Sequence, residues 1–220
     1  MVRRRRYGVL LVAIVCVFFV QGIAEPEAWE QVLVTALLGV TLLLSLRVAE
    51  ARPWFWRAAI VIVAATTALS AVEAANGEID SRATRMASAL LVALAPPAVV
   101  VGVLRGLRRR KAVTIEVVTG GLCVYLLLGL LFANVYGSLD HAGGGPFFAG
   151  GAPATVSNCV YFSFTTLATL GYGDFTARTN LGHTLSVAEA LVGQLYLVTV
   201  VALVVGNLGR STLRSAGPQS

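Results

Sequence analysis

Long runs without a charged residue limit how this sequence can fold more than any other feature. Six such runs occur, at 7–24, 31–46, 58–72, 86–104, 117–139 and 190–209. A helix needs about 20 apolar residues, with a range of about 17–25, to cross the hydrocarbon core of a membrane. The second and third runs are short, but flanking arginines can extend to the lipid headgroups. The sequence therefore predicts an all-α integral membrane protein with six transmembrane helices.

Composition supports this prediction and excludes other classes. Only 13% of the residues are charged, whereas a soluble domain has about 25%. A cytosolic enzyme, a disordered regulator and a secreted disulfide scaffold are therefore excluded. The net charge of +6 has a topological explanation, because the basic residues occur in short clusters between apolar runs. We expect the lipid bilayer, and not a nucleic acid, to be the partner.

The basic clusters predict the orientation in the membrane. With six spans, 14 of the 17 basic residues fall on one side: Arg3–Arg6, Arg47, Arg52, Arg57, Arg105, Arg108, Arg109, Arg110, Lys111, Arg210 and Arg214. Most acids fall on the other side: Glu25, Glu27, Glu30, Glu73, Glu78, Asp80, Asp140 and Asp174. The positive-inside rule then predicts that both termini are cytoplasmic. We expect the protein to lie in the plasma membrane.

The first apolar run has a second interpretation. Arg3–Arg6, the run itself and the small residues at 22–24 are also typical of a secretory signal peptide. The run of 18 residues exceeds the usual apolar region of about 7–15 residues, so a retained helix is favoured. The topology of the remaining chain is the same in both cases.

A different kind of sequence separates the fifth and sixth runs. Residues 139–153 are rich in Gly and Pro and predict an outer loop, in which Phe147 and Phe148 are expected to anchor at the membrane face. Residues 155–168 predict a helix of about 21 Å, which is too short to span and is therefore re-entrant. It leads into the string TLGYGD at 169–174.

The string TLGYGD has a specific physical use. Gly171 and Gly173 take positive φ at little cost. Alternating backbone handedness over 170–173 turns successive carbonyl oxygens to the same side, and the Thr169 hydroxyl adds an oxygen at the inner end. Four such strands around an axis would form stacked oxygen cages that replace the water shell of a cation. The preceding helix directs its negative C-terminal end toward the same place.

These residues resemble the potassium channel pore family, whose filter reads TVGYG. The resemblance covers roughly 117–208, comprising outer helix, pore helix, filter and inner helix, with Leu170 in place of Val. It implies K+ binding at Thr169, Leu170, Gly171, Tyr172 and Gly173. One filter strand per chain implies a homotetramer with closed fourfold symmetry.

The sequence departs from the family pattern on the pore helix. Tyr161 and Phe162 stand where relatives often have tryptophans that bond to the filter tyrosine, so Thr166 is our candidate for that bond. Many relatives pair the filter aspartate with a pore-helix glutamate. Here that position is Thr165, so Asp174 lacks this partner. Both departures concern the support of the filter.

Two positions in the last run are further candidates. Glu189 is an intramembrane carboxylate, expected behind the filter and bonded to Thr165, Thr166 or a backbone N–H. The alternatives are a protonated side chain in a packed interface or a position near the outer headgroups. Gly193 lies 20 residues after Gly173, the spacing of the inner-helix hinge in the resembling family. It also suits close helix packing.

We expect three segments: a four-helix transmembrane domain at 1–111, a potassium-channel pore domain at 112–210 and a short cytoplasmic tail at 211–220. The fourth run has no basic residue within it, so the first domain lacks voltage-sensor charges. The predicted function is a passive, potassium-selective channel that is not voltage-gated, is not an enzyme and needs no cofactor beyond the permeant K+. The alternatives are a weakly selective cation channel, should Leu170 loosen the filter, and a non-conducting membrane interaction subunit.

Overall fold

The computed structural model describes residues 2–23, 28–77, 82–110, 115–142 and 145–215, and within these ranges the fold is helical. The predicted residues Glu25, Glu27, Glu78, Asp80 and Lys111 lie outside the described ranges. The helices are α1 (Val2–Ile23), α2 (Ala28–Val48), α3 (Pro53–Ala75), α4 (Arg82–Arg110), α5 (Ile115–Ala142), α6 (Val156–Leu167) and α7 (Asn180–Ser215). A short 3-10 turn at Ala149–Gly151 precedes α6.

The long helices have the length and composition of membrane spans. Five of the helices in the described ranges, α2, α3, α4, α5 and α7, are long and apolar enough to cross a bilayer. The apolar part of α1 is shorter, at Tyr7–Ile23. The chain is therefore a multi-pass membrane protein, as its uncharged runs predict. The five spans overlap the predicted runs 31–46, 58–72, 86–104, 117–139 and 190–209.

The N-terminal helices pack around α2, which contacts α1, α3 and α4. Small residues let these helices approach closely. A Cβ built on Gly39 would lie 2.5 Å from Cγ1 of Val63, and one on Gly102 would lie 3.1 Å from the carbonyl oxygen of Val48. In lipid, such close approach is a principal source of helix association, because lipid tails are as apolar as the helices.

The N-terminal helices also pack directly on the elements that follow them. Helix α4 lies against α5, and α1 contacts both α5 and α6. At one end of α1 the ring of Tyr7 covers Gly120 of α5, where a Cβ would lie 2.9 Å from the ring. The first four helices therefore form one packed body with α5 and α6.

The outer loop folds inward. Phe147 and Phe148 are both buried, so the expectation that they anchor at the membrane face is wrong. Phe148 forms an isolated antiparallel bridge with Ala177, and the N–H of Arg178 donates to the carbonyl of Phe147 (2.8 Å). The side chain of Arg178 also donates to the carbonyl of Pro146 (2.8 Å). These bonds tie the loop to the segment that follows TLGYGD.

Candidate functional site

Helix α6 brings the chain to the TLGYGD string. It begins after Thr155, whose hydroxyl accepts the N–H of Asn158 (3.2 Å) and so caps the first turn. The helix has 12 residues, or about 18 Å, which is too short to cross a membrane. The helix observed at Val156–Leu167 lies within the predicted range 155–168. The chain continues from its C-terminal end directly into the string.

A Schellman-type cap joins α6 to the string. The N–H of Leu170 donates to the carbonyl of Thr165 (2.8 Å), and the N–H of Thr169 donates to the carbonyl of Thr166 (2.9 Å). The residue between helix and strand, Thr169, has a φ of +56°, which is an outlier for a β-branched residue. Thr165 and Thr166 thus support the string through their carbonyl oxygens. The Thr165 hydroxyl itself donates back within α6, to the Tyr161 carbonyl (2.9 Å).

The backbone of the string alternates in handedness. Thr169, Gly171 and Gly173 have φ values of +56°, +54° and +81°. Leu170 and Tyr172 between them are not among the described residues with positive φ. Glycine adopts this conformation at the least steric cost, which explains its presence at two of the three positions. The alternation predicted for 170–173 is present and begins one residue earlier.

The string lies on the surface of the chain. The side chains of Leu170 and Tyr172 are 57% and 68% exposed. A Cβ built on Gly171 or Gly173 would have no neighbouring atom within 4 Å. Large apolar side chains with this exposure need a cover of lipid or protein, because burying apolar area is favourable. The subunit alone does not supply it.

The tyrosine of the string has a neighbour on α6. The ring of Tyr161 stacks on that of Tyr172, with centroids 6.4 Å apart and an interplanar angle of 14°. Tyr161 is therefore the α6 residue next to Tyr172, a place for which Thr166 was our candidate.

An aromatic cluster fills the space behind the strand. Its five members pack in a chain of contacts, with ring centroids 5.0–6.0 Å apart: Tyr136, Phe147, Phe148, Phe162 and Phe175. They come from α5, the outer loop, α6 and the segment after the string. Sequence reasoning missed this cluster, since it assigned two members to the membrane surface. A loop containing adjacent phenylalanines was the available signal.

Glu189 is completely buried between three helices. Its carboxyl oxygens lie 2.6 Å from the hydroxyl of Tyr136 on α5 and 2.5 Å from the hydroxyl of Ser163 on α6. Glu189 therefore lies against α5 and α6, and its expected position behind the filter stays a prediction. The expected partners Thr165 and Thr166 are wrong, because the carboxyl group meets α6 at Ser163 instead.

The number of protons in this network indicates the protonation state of Glu189. The Ser163 hydroxyl lies within bonding distance of both Glu189 and the carbonyl oxygen of Gly129 (2.7 Å). Tyr136 and Ser163 have one proton each, and the carbonyl of Gly129 only accepts. A protonated carboxyl group of Glu189 would supply one proton for each of the three contacts. In that form Tyr136 donates to Glu189, Glu189 to Ser163, and Ser163 to Gly129.

Gly193 lies one turn further along α7 and contacts the end of α6. A Cβ at Gly193 would lie 2.4 Å from the carbonyl oxygen of Leu167, the last residue of α6. No side chain fits at that distance without a shift of backbone. The structure therefore gives Gly193 a close-packing role, which was one of the two alternatives. Its role as a hinge stays a prediction.

Comparison with known proteins places this site in a family context. Residues 112–209 match the family model described as ion channel, which includes α5, α6, the string and α7 as far as residue 209. The chain is 32% identical over 100 residues to the inward rectifier potassium channel Kirbac3.1 of Paramagnetospirillum magnetotacticum. That alignment covers 46% of this chain and 31% of the relative, so the chain spans about a third of the relative's length. No solved structure matches the chain.

Proposed function

We propose that this chain, whose residues 112–209 match the ion channel family model, is a passive potassium-selective channel with TLGYGD as its filter. The observation that carries the proposal is the capped strand with positive φ at Thr169, Gly171 and Gly173. Alternating handedness directs successive carbonyl oxygens to one side, where they can replace the water shell of K+. The similarity to a protein named as a potassium channel supports K+ as the ion.

The proposed assembly is a homotetramer. A single strand cannot surround an ion, whereas four strands related by a closed fourfold axis can. The exposure of Leu170 and Tyr172 supports this arrangement, because neighbouring subunits would cover them. In the assembly K+ binds to the carbonyl oxygens of residues 169–172, with the Thr169 hydroxyl at the inner end. Asp174 and Tyr161 stand at the outer end of the pore.

The proposed topology has six spans in a plasma membrane, with both termini cytoplasmic. Packing of α1 along α5 supports the sixth span. The contact of Tyr7 with Gly120 lies near the start of both helices, and Gly22 near the other end of α1 meets the start of α6. Helix α1 therefore runs alongside α5, which supports the same membrane depth for both helices. The proposed orientation follows from the side of the membrane on which most basic residues fall.

Ion flux into liposomes tests the proposal. Purified wild-type protein should conduct K+ and exclude Na+. Gly171→Ala and Gly173→Ala place a Cβ on a residue with positive φ, at a cost of about 1–3 kcal/mol, and should abolish selective K+ flux while the tetramer still assembles. Equal Na+ flux through the wild type would support a weakly selective cation channel. Absence of any flux would support an interaction subunit.

Gly150→Ala and Gly77→Ala are matched controls. Both glycines have positive φ (+85° and +78°), and a Cβ at either has no neighbour within 4 Å, as at Gly171 and Gly173. They impose the same local strain outside the filter. Normal K+ selectivity in the controls, with its loss in the two filter variants, assigns the effect to the filter. Normal selectivity in all four variants contradicts the assignment.

A further inference from the structure

We infer that helix α1 is a working part of the pore, whose Phe18 and Gly22 position the pore helix α6 and thereby the filter. The inference rests on the proposed channel function and gives the N-terminal helices a role in it. In this role α1 acts on the filter directly, unlike a peripheral domain that acts on the pore only through a connecting segment. Three independent contacts of α1 carry it.

The first contact lies at the start of α6. The hydroxyl of Ser157 donates to the carbonyl oxygen of Gly22 (2.7 Å). Helix α1 ends at Ile23, so the Gly22 carbonyl is among the last four of the helix and has no partner within it. Ser157 supplies that partner from the first turn of α6. The bond therefore satisfies a carbonyl at the end of α1 and sets the position of the start of α6 relative to α1.

The second contact lies one helical turn before Gly22 on α1. The ring of Phe18 packs edge-on against the ring of Phe164, with centroids 4.7 Å apart and an interplanar angle of 65°. On its other side Phe164 presses against Gly129 of α5, where a Cβ would lie 2.6 Å from the ring. Phe164 is therefore held between α1 and α5. Movement of this ring would therefore disturb its packing against both α1 and α5.

Phe164 belongs to the turn of α6 that caps the filter strand. Its carbonyl accepts the N–H of Ala168 (3.0 Å), and the next carbonyl, that of Thr165, accepts the N–H of Leu170 (2.8 Å). A shift of Phe164 thus moves the acceptors that hold the first filter residues. Functional constellations tolerate displacements of only about 0.5 Å, so the Phe18 contact acts on the alignment of the filter.

The third contact keeps α1 in place at its other end. Tyr7 is buried, and its ring lies over Gly120 of α5. The Cys123 thiol, also on α5, lies 4.0 Å from the Tyr7 carbonyl oxygen. Since α1 also packs on α2, displacement of the N-terminal helices reaches α6 through α1. This route ends at the filter and bypasses the cytoplasmic end of α7.

Phe18→Ala tests the inference, with Phe19→Ala as the matched control. Phe19 is adjacent, has the same side chain and is 57% exposed. The two rings contact each other, but Phe164 packs on Phe18. Ser157→Ala is a second test and Ser138→Ala its control, because the Ser138 hydroxyl bonds only within α5, to the carbonyl of Asn134. Phe18→Leu provides a conservative variant that retains an apolar side chain should alanine prevent assembly.

Two measurements on the full-length protein in lipid nanodiscs and liposomes decide the outcome. In amide hydrogen exchange, the peptide containing Thr169 and Leu170 should exchange about tenfold faster in Phe18→Ala than in wild type, equivalent to about 1.4 kcal/mol of opening free energy. The ratio of Na+ to K+ flux should also rise. A merely structural loss of protein would scale both fluxes equally and leave the ratio unchanged. Phe19→Ala should match wild type in both measurements.

The inference and the proposed function fail in different ways. If wild-type protein conducts no K+, the proposed function fails, and the exchange measurement still decides whether α1 positions the filter. If wild type conducts K+ but Phe18→Ala and Ser157→Ala equal their controls in exchange and flux ratio, the inference is overturned. Faster exchange in Phe18→Ala, with partial recovery in Phe18→Leu, supports it.

Discussion

Removing the buried carboxyl group of Glu189 should destabilise the protein in a way that identifies its partners. Glu189→Ala removes the acceptor of the Tyr136 hydroxyl, which lies 2.6 Å away. Ser163 loses less, because its hydroxyl retains the carbonyl of Gly129 at 2.7 Å. One buried donor without a partner costs about 1–3 kcal/mol. One lost methylene group adds about 0.8 kcal/mol, so we expect about 2–4 kcal/mol per subunit.

The other variants separate the hydrogen bonds from the lost volume. Glu189→Gln retains one acceptor for Tyr136 and one donor for Ser163, which is what a protonated glutamic acid supplies. It should stay within about 1 kcal/mol of wild type. In the Glu189→Ala background, Tyr136→Phe removes the orphaned hydroxyl and should restore about 1–3 kcal/mol. In the wild-type background the same change removes a bond and should destabilise.

The assay is the unfolding midpoint of purified protein in detergent, measured with K+ flux in liposomes. Glu73→Ala is the control for loss of a buried carboxylate. Glu73 is 8% exposed and bonds to Thr84 between α3 and α4, away from the filter. It should lower the midpoint without changing the ratio of Na+ to K+ flux, whereas Glu189→Ala should change both. If Glu189→Gln is as harmful as Glu189→Ala, or if Tyr136→Phe restores nothing, the proposed proton arrangement is wrong.

Two further predictions concern α7 and α4. Gly193→Ala should lower the free energy of unfolding by about 1–3 kcal/mol, since its Cβ would lie 2.4 Å from the Leu167 carbonyl. Gly8→Ala, with open space around its Cβ, is the control. An increase in stability from better helix propensity would instead favour a purely flexible hinge. In planar bilayers, open probability should vary only shallowly between about −100 and +100 mV, because α4 has no basic residue between Arg85 and Arg105. One charge crossing the membrane yields about 2.3 kcal/mol per 100 mV, so a steep sigmoidal dependence on voltage would contradict this prediction.

The features predicted correctly from the sequence are those that depend on local properties. The length of an uncharged run limits a membrane helix directly, and the short apolar stretch 155–168 predicts α6 to within one residue at each end. The positive φ at Gly171 and Gly173 also follows from a local requirement, because few other residues adopt it cheaply. None of these predictions needs knowledge of which helices touch.

The contacts between helices were not predictable in the same way. In a soluble helix the apolar face identifies the side that packs, but in a membrane helix the lipid-facing side is equally apolar. The sequence therefore gave no indication that Phe18 and not Phe19 faces α6. The loop residues Phe147 and Phe148 were misplaced for the same reason, because a membrane surface and an aromatic cluster both accept phenylalanine.

The exceptions to apolarity contain the missing information, since a polar atom inside a membrane must find a partner. Glu189 is such an exception, and its bonds fix the rotation of α6 about its own axis. The depth of α6 depends on pairs of small and large residues: Gly129 receives the ring of Phe164, and Gly193 receives the carbonyl of Leu167. Rotation and depth together determine where the C-terminal end of α6 lies. The filter strand is bonded to that end, so its position follows from contacts that its own six residues do not encode.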